Sequence, residues 1–176
     1  MLIGTWRESG APFDLRLRRN RMALVLAAAT LCFVNSLYYV GLVYWREDYP
    51  HLGRLQDLIP VIAVFSLTAA AWSVAIGSWI RYREQAVVHL LPTAIPIIFL
   101  AGFAWPVESI PTPLRMLSVL VPSTAGIQGF LNVDQMGAEL NQVLPDLASL
   151  LMLLGGALAL IELKKGWPAR TSRELG

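Results

Sequence analysis

Charge is scarce in this chain and cysteine scarcer. Its 176 residues hold 14 Lys and Arg against 12 Asp and Glu, 15% in all, whereas 56% are hydrophobic. That composition excludes an ordinary soluble domain of this length. A single cysteine, Cys32, excludes an intrachain disulfide, and without any CxxC spacing it offers no metal site. It sits inside an apolar run and reads as a packing residue. No Gly-rich GxxxxGK[ST] loop occurs, so ATP has no phosphate cradle of that kind here. Neither HExxH nor GxSxG is present. An intramembrane enzyme would need paired ionisable groups at membrane depth, and His89 has no carboxylate in phase with it.

What is present is length without charge. A bilayer-crossing helix needs about 20 mostly apolar residues. Four runs meet this, at 22–45, 58–80, 85–107 and 143–161. The N-terminal stretch MLIGTWRESGAPFDLRLRRNR is basic and polar and does not read as a cleavable signal. The expected division is a basic segment at 1–21, a membrane domain at 22–163 and a tail at 164–176. Basic residues crowd the first segment, the turn with Arg81 and Arg83, and the tail with Lys164, Lys165, Arg170 and Arg173. By the positive-inside rule these face the cytoplasm, so both termini lie inside. Tyr44, Trp45, Trp79, Tyr82 and Trp105 fall at the expected interfaces.

Small residues recur at helical spacing as Ala69, Ser73 and Gly77, and Gly155 and Gly156 interrupt the last run. Such residues let helices approach closely. Pro92 and Pro96 kink the third run. Asn35 and His89 are polar groups within runs, and a neutral one most often serves an interhelical hydrogen bond. Asp146, after Pro145, is expected to cap the start of the last run.

The stretch FAWPVESIPTP closes the third run with Pro106, Pro111, Pro113 and one acid, Glu108. LRMLSVLVP follows, about two helical turns and too short to cross. VPSTAGIQGFLNV comes next, with Pro122, Gly126 and Gly129 as expected breaks. Irregular backbone is tolerated at membrane depth only where protein covers it or water borders it. A re-entrant element and a helix lying flat on the outer leaflet both fit the proline spacing. One charge between Ser109 and Val133 favours re-entry over 108–131. The expected fold is therefore all-α and transmembrane: a four-helix membrane bundle with a re-entrant outer helical hairpin between the third and fourth spans.

The run FLAGFAWPVESIPTPLRMLSVLVPSTAGIQGFLNVDQMGAEL resembles the outer-gate region of type-2 ABC transporter permeases, in particular bacterial export permeases of the multidrug-efflux type. The likeness is carried by Gly102 and Phe103, then Trp105, Pro106, Glu108 and Pro111. It continues through Pro122, Ser123, Thr124, Gly126, Ile127, Gln128, Gly129 and Phe130, and ends on Asp134, Gln135, Met136, Gly137 and Ala138. SLYYVGLVYW, WIRYREQAV and GTWRESG are similar to further family segments in the same order. The family's first helix, extracytoplasmic domain and second helix have no counterpart here. The resemblance thus implies the C-terminal portion of a permease, a split gene product or a truncated copy.

The resemblance also implies a role. The chain would be a permease subunit of an ATP-driven ABC exporter in the bacterial cytoplasmic membrane, multi-pass and with no chemistry of its own. The partners would be a separate ATP-binding cassette ATPase holding ATP and Mg, a second permease half (the same chain or another) and membrane lipids, but no nucleic acid. Pro106, Glu108, Pro111, Pro122, Gly126, Gln128, Gly129, Gln135, Met136 and Gly137 would form the outer gate. Arg16, Arg18, Arg19, Arg21, Arg81, Arg83 and Glu84 would be the ATPase-docking candidates, with anionic-lipid binding as the other use for such arginines. The competing expectation is a non-transporting membrane scaffold or truncated paralogue.

Overall fold

The computed structural model describes residues 18–47, 52–80, 88, 92–93, 95–99 and 111–164, and among them every regular element is helical. Helix α1 is Arg18–Leu37. It continues without a gap through a π-helical stretch, Tyr38–Val43, and a closing α turn, Tyr44–Glu47. Helix α2 is Leu55–Gly77, α3 is Thr112–Ser118, α4 is Pro122–Asp134 and α5 is Leu144–Leu163.

Three of these helices are long and apolar enough to cross a membrane: Arg18–Val43 with its π stretch, α2 and α5. They lie within a few residues of three expected spans. The third expected span, 85–107, falls largely outside the described residues.

Helix α2 is the most enclosed and organises the others, packing against α1, α4 and α5. Its contact surface is written in small side chains. Ala70, Ala71, Val74 and Ala75 meet Leu24, Val25 and Ala29 of α1 and Ala157 and Ile161 of α5 in one buried cluster. Short side chains let the helix axes close up, which is how dispersion replaces the missing hydrophobic drive in lipid. A second cluster joins Val40, Leu58, Val61, Ile62, Val133, Val143 and Leu147 at the opposite end. Hydroxyls on these helices bond backbone carbonyls, as an apolar solvent favours, although Ser66 Oγ and Trp72 Nε1 of α2 are buried with no hydrogen-bond partner among the described residues. Thr68, fully buried, bonds the Val64 carbonyl at 2.7 Å and the Leu150 carbonyl of α5 at 3.2 Å. Leu26, Leu31, Val34, Leu151 and Met152 are exposed, as lipid-facing residues would be.

The small residues singled out in the sequence behave differently from the expectation. Among the described residues, Ala69, Ser73 and Gly77 line an open groove of about 340 Å³ with Phe65, Trp72 and, from α4, Ser123. Nothing among the described residues lies within 4 Å of a Cβ built on Gly155 or Gly156. Close approach inside the chain falls to the alanines of α2 and to the glycines of α4.

Candidate functional site

The prolines set where α3 and α4 begin. Pro111 immediately precedes α3, and its carbonyl accepts Leu114 N–H at 2.9 Å. Pro122 opens α4 from an extended Val121, a position where its missing N–H has no helical partner to lose. Thr124 N–H bonds the Val121 carbonyl at 3.1 Å.

Gly126 and Gly129 do not break the chain as expected; α4 runs through both to Asp134. Their use is close approach. A Cβ on Gly126 would stand under 3.0 Å from ring carbons of Phe65 on α2. One on Gly129 would lie 3.4 Å from both Val61 Cγ1 and Asp146 Cβ. Three residues apart, the two glycines share a helix face, and that face seats α4 on α2 and α5. Gln128 is half-buried on α4, while Gln135 and Met136 are exposed beyond its end. Gly137 takes φ +64°, the left-handed region glycine enters freely, and Ala138 N–H returns to the Asn132 carbonyl at 3.0 Å. Pro106 and Glu108, the remaining gate candidates, lie outside the described residues.

The end of α4 is the hub of a polar junction. Asp134 is 4% exposed. Its carboxylate accepts Tyr44 O–H at 3.3 Å, and its backbone carbonyl accepts Leu52 N–H at 2.9 Å and Gly53 N–H at 3.2 Å. Gly53 is obligatory for this contact, because a Cβ there would press within 3.0 Å of the Val133 carbonyl. Asn132 Nδ2 donates to Asp146 Oδ2 at 3.2 Å, tying α4 to α5. Asp146 is thus not the cap expected of it. Val143 occupies the cap position without a side-chain bond, and Asp146 sits in the first turn turned toward α4. Tyr44, expected as an interfacial anchor, serves this junction too.

The other end of the bundle carries the charges. Arg18 Nε and Arg21 Nη2 reach the two carboxylate oxygens of Glu162, at 3.0 and 3.1 Å. Lys164 Nζ donates to the Ser78 carbonyl, lies 3.2 Å from Ser78 Oγ and stands 5.1 Å from the Trp79 ring centre. The start of α1 and the ends of α2 and α5 are therefore held together. Arg21, one of the docking candidates, is only 7% exposed and pairs with Glu162 within the chain. Arg18 and Arg19 are exposed; Arg16, Arg81, Arg83 and Glu84 lie outside the described residues. Glu162 and Asn132 were not singled out in the sequence. A lone acid at the end of an apolar helix, opposite a basic helix start, is the signal that could have found the first.

A family model of the ABC-2 type transporter matches residues 20–134. No curated protein and no solved structure matches the chain. The family match takes in the π stretch, α2 and the Gly126–Gly129 seat up to Asp134, and so spans most of the sites described above. With more than half of the sequence matched and three apolar helices of spanning length, the chain belongs to the ABC-2 type transporter family as a membrane permease component.

Proposed function

We propose that the chain lines the substrate pathway of an ATP-driven exporter in the bacterial cytoplasmic membrane, with α3 and α4 as a re-entrant outer gate. The observation that carries this reading is the seat of α4. Thirteen residues make a helix of about 20 Å, too short to cross. Its end meets Gly53, before the start of α2, while Gly126 meets Phe65. Gly126 stands eight residues before Asp134, about 12 Å of rise along α4, beside the α2 run from Leu55 to Phe65 of about 15 Å. With Asp134 at the membrane border, the start of α4 lies near the middle of a core of about 30 Å. A helix lying flat on the leaflet would keep one depth along its length, which favours re-entry.

Orientation follows the basic residues. The Arg18–Glu162 end is cytoplasmic and the Asp134 end faces out. A separate ATPase docks on the cytoplasmic face, at Arg16, Arg19, Arg81, Arg83 and Glu84 with the exposed Arg18, and a second permease half completes the pathway. In this arrangement Glu108, Pro106 and Pro111 border the outer mouth, and 85–107, the third span in chain order, completes the four-helix bundle.

Two measurements test it. A spin label at Leu120→Cys, in a Cys32→Ser background, should be reached by oxygen and shielded from a water-soluble nickel chelate; equal access to the chelate returns α3 and α4 to the surface. Affinity capture of the tagged chain from native membranes should bring an ATP-binding subunit in near-stoichiometric amount. Capture of the chain alone supports the scaffold reading.

A further inference from the structure

The first span is fastened at both ends and irregular in between. At one end Arg21 holds Glu162; at the other Tyr44 holds Asp134. Between them Tyr38–Val43 winds as a π-helix, closed by Tyr44 N–H donating to the Tyr39 carbonyl five residues back. Such turns are rare, occur inside α-helices and cluster at sites of action. Val40 is the buried residue of the stretch, while Tyr38, Tyr39 and Leu42 are more than half exposed. Among the described residues, nothing lies within 4 Å of where a Cβ on Gly41 would stand. Among the described residues, Val40 is the residue of the stretch that packs into the core, beside Leu58 and Val61, and the side chains around it are exposed.

A π turn accommodates one residue more than an α turn. Everything after it keeps the bearing of an α-helix one residue shorter. Rewinding Tyr38–Val43 as α-helix therefore turns the following residues by about 100°. Val43 then takes the bearing Tyr44 holds now. Valine has no hydroxyl, so the bond to the Asp134 carboxylate is lost. Asp134 also fixes Leu52 and Gly53 through its carbonyl, and it ends the helix that carries Gly126 and Gly129.

We propose that Tyr38–Val43 is a register switch: its π form engages Tyr44 with Asp134 and holds α4 on the bundle, and its α form presents Val43 and releases that end of α4. The consequence for transport rests on the gate reading of α4; the register exchange itself does not.

Disulfide trapping in membranes tests it, in the Cys32→Ser chain. One double variant is Tyr44→Cys with Asp134→Cys, the other Val43→Cys with Asp134→Cys. Both pairs are expected to form, the second as the minor product. Deleting Gly41 removes the extra residue, so the Tyr44 pair should persist and the Val43 pair fall by about tenfold. Gly41→Ala favours the α form and should raise the Val43 pair severalfold over the Tyr44 pair. A Val43 pair no more abundant with Gly41 than without it overturns the switch. So does loss of the Tyr44 pair in a deletion chain that still elutes as a folded monodisperse species. Should the deletion chain fail to fold, the Gly41→Ala ratio decides, and an unchanged ratio overturns the proposal. Because trapping reads register without transport, a fixed register leaves the gate reading standing. An exchanging register whose locking leaves export unchanged removes the gate and not the switch.

Discussion

Glycine carries opposite meanings at four positions of this chain, and only its surroundings tell them apart. Gly126 faces the Phe65 ring with no room for a methyl group, whereas Gly155 faces open space. Gly126→Ala should destabilise the chain by about 1–3 kcal/mol, the usual range for overpacking, even though alanine is the better helix former. Phe65→Leu, which removes the ring, should recover much of the loss in the double variant, because residues in contact couple non-additively. Thermal unfolding in a mild detergent reads both; equal losses with and without Phe65 would show that the clash is not the cause. Gly155→Ala should leave stability unchanged or raise it by up to about 1 kcal/mol. A loss there would mean that something beyond the described residues packs on that face. The sequence alone could not separate these cases: a glycine in an apolar run reads equally as a break and as a close approach, and the reading of Gly126 and Gly129 as breaks went the wrong way.

At the scale of elements, the long helices were legible because lipid demands length and apolar character, both of which a sequence displays. The expected start of the second span at 58 misses Leu55, Gln56 and Asp57, whose polar turn belongs to α2. Its expected end at 80 counts Trp79 and Ile80, which are apolar yet lie past the helix. The links between elements were not legible. Arg21 and Glu162 are 141 residues apart, and Tyr44 and Asp134 are 90 apart; neither pair leaves a local signature. In the sequence Arg21 is one more basic residue of the segment 16–21, and its pairing with Glu162 is not visible there. Its burial makes the clamp asymmetric. Glu162→Gln takes from the buried Arg21 the carboxylate it pairs with and should cost about 1–3 kcal/mol. Arg18→Gln removes a well-solvated partner and should cost under about 1 kcal/mol. Exchanging the charges, Arg21→Glu with Glu162→Arg, should restore part of the loss. If the two single variants fall equally in thermal midpoint, the buried arginine is not what holds the clamp.

For the whole molecule, the two ends of the bundle differ in kind. One is joined by ions: Arg18, Arg21 and Glu162 between α1 and α5, and Lys164 on the end of α2. The other is joined by hydrogen bonds from Tyr44, Leu52, Gly53 and Asn132 to Asp134 and Asp146. Basic side chains are retained on the side where anionic lipid and the membrane potential hold them, so the ionic end should be cytoplasmic. Exposed residues at each end provide the check. Met136 is 75% exposed at the hydrogen-bonded end, and Arg19 is exposed at the ionic end. In intact cells carrying the Cys32→Ser chain, a membrane-impermeant maleimide should label Met136→Cys at once and Arg19→Cys only after permeabilisation. The reverse order would invert the topology. It would put α4 at the cytoplasmic mouth, so the outer gate would fail while the fold and the register switch kept their geometry. Labelling of both before permeabilisation would mean that these three helices do not keep one orientation, and the positive-inside assignment would fall with it.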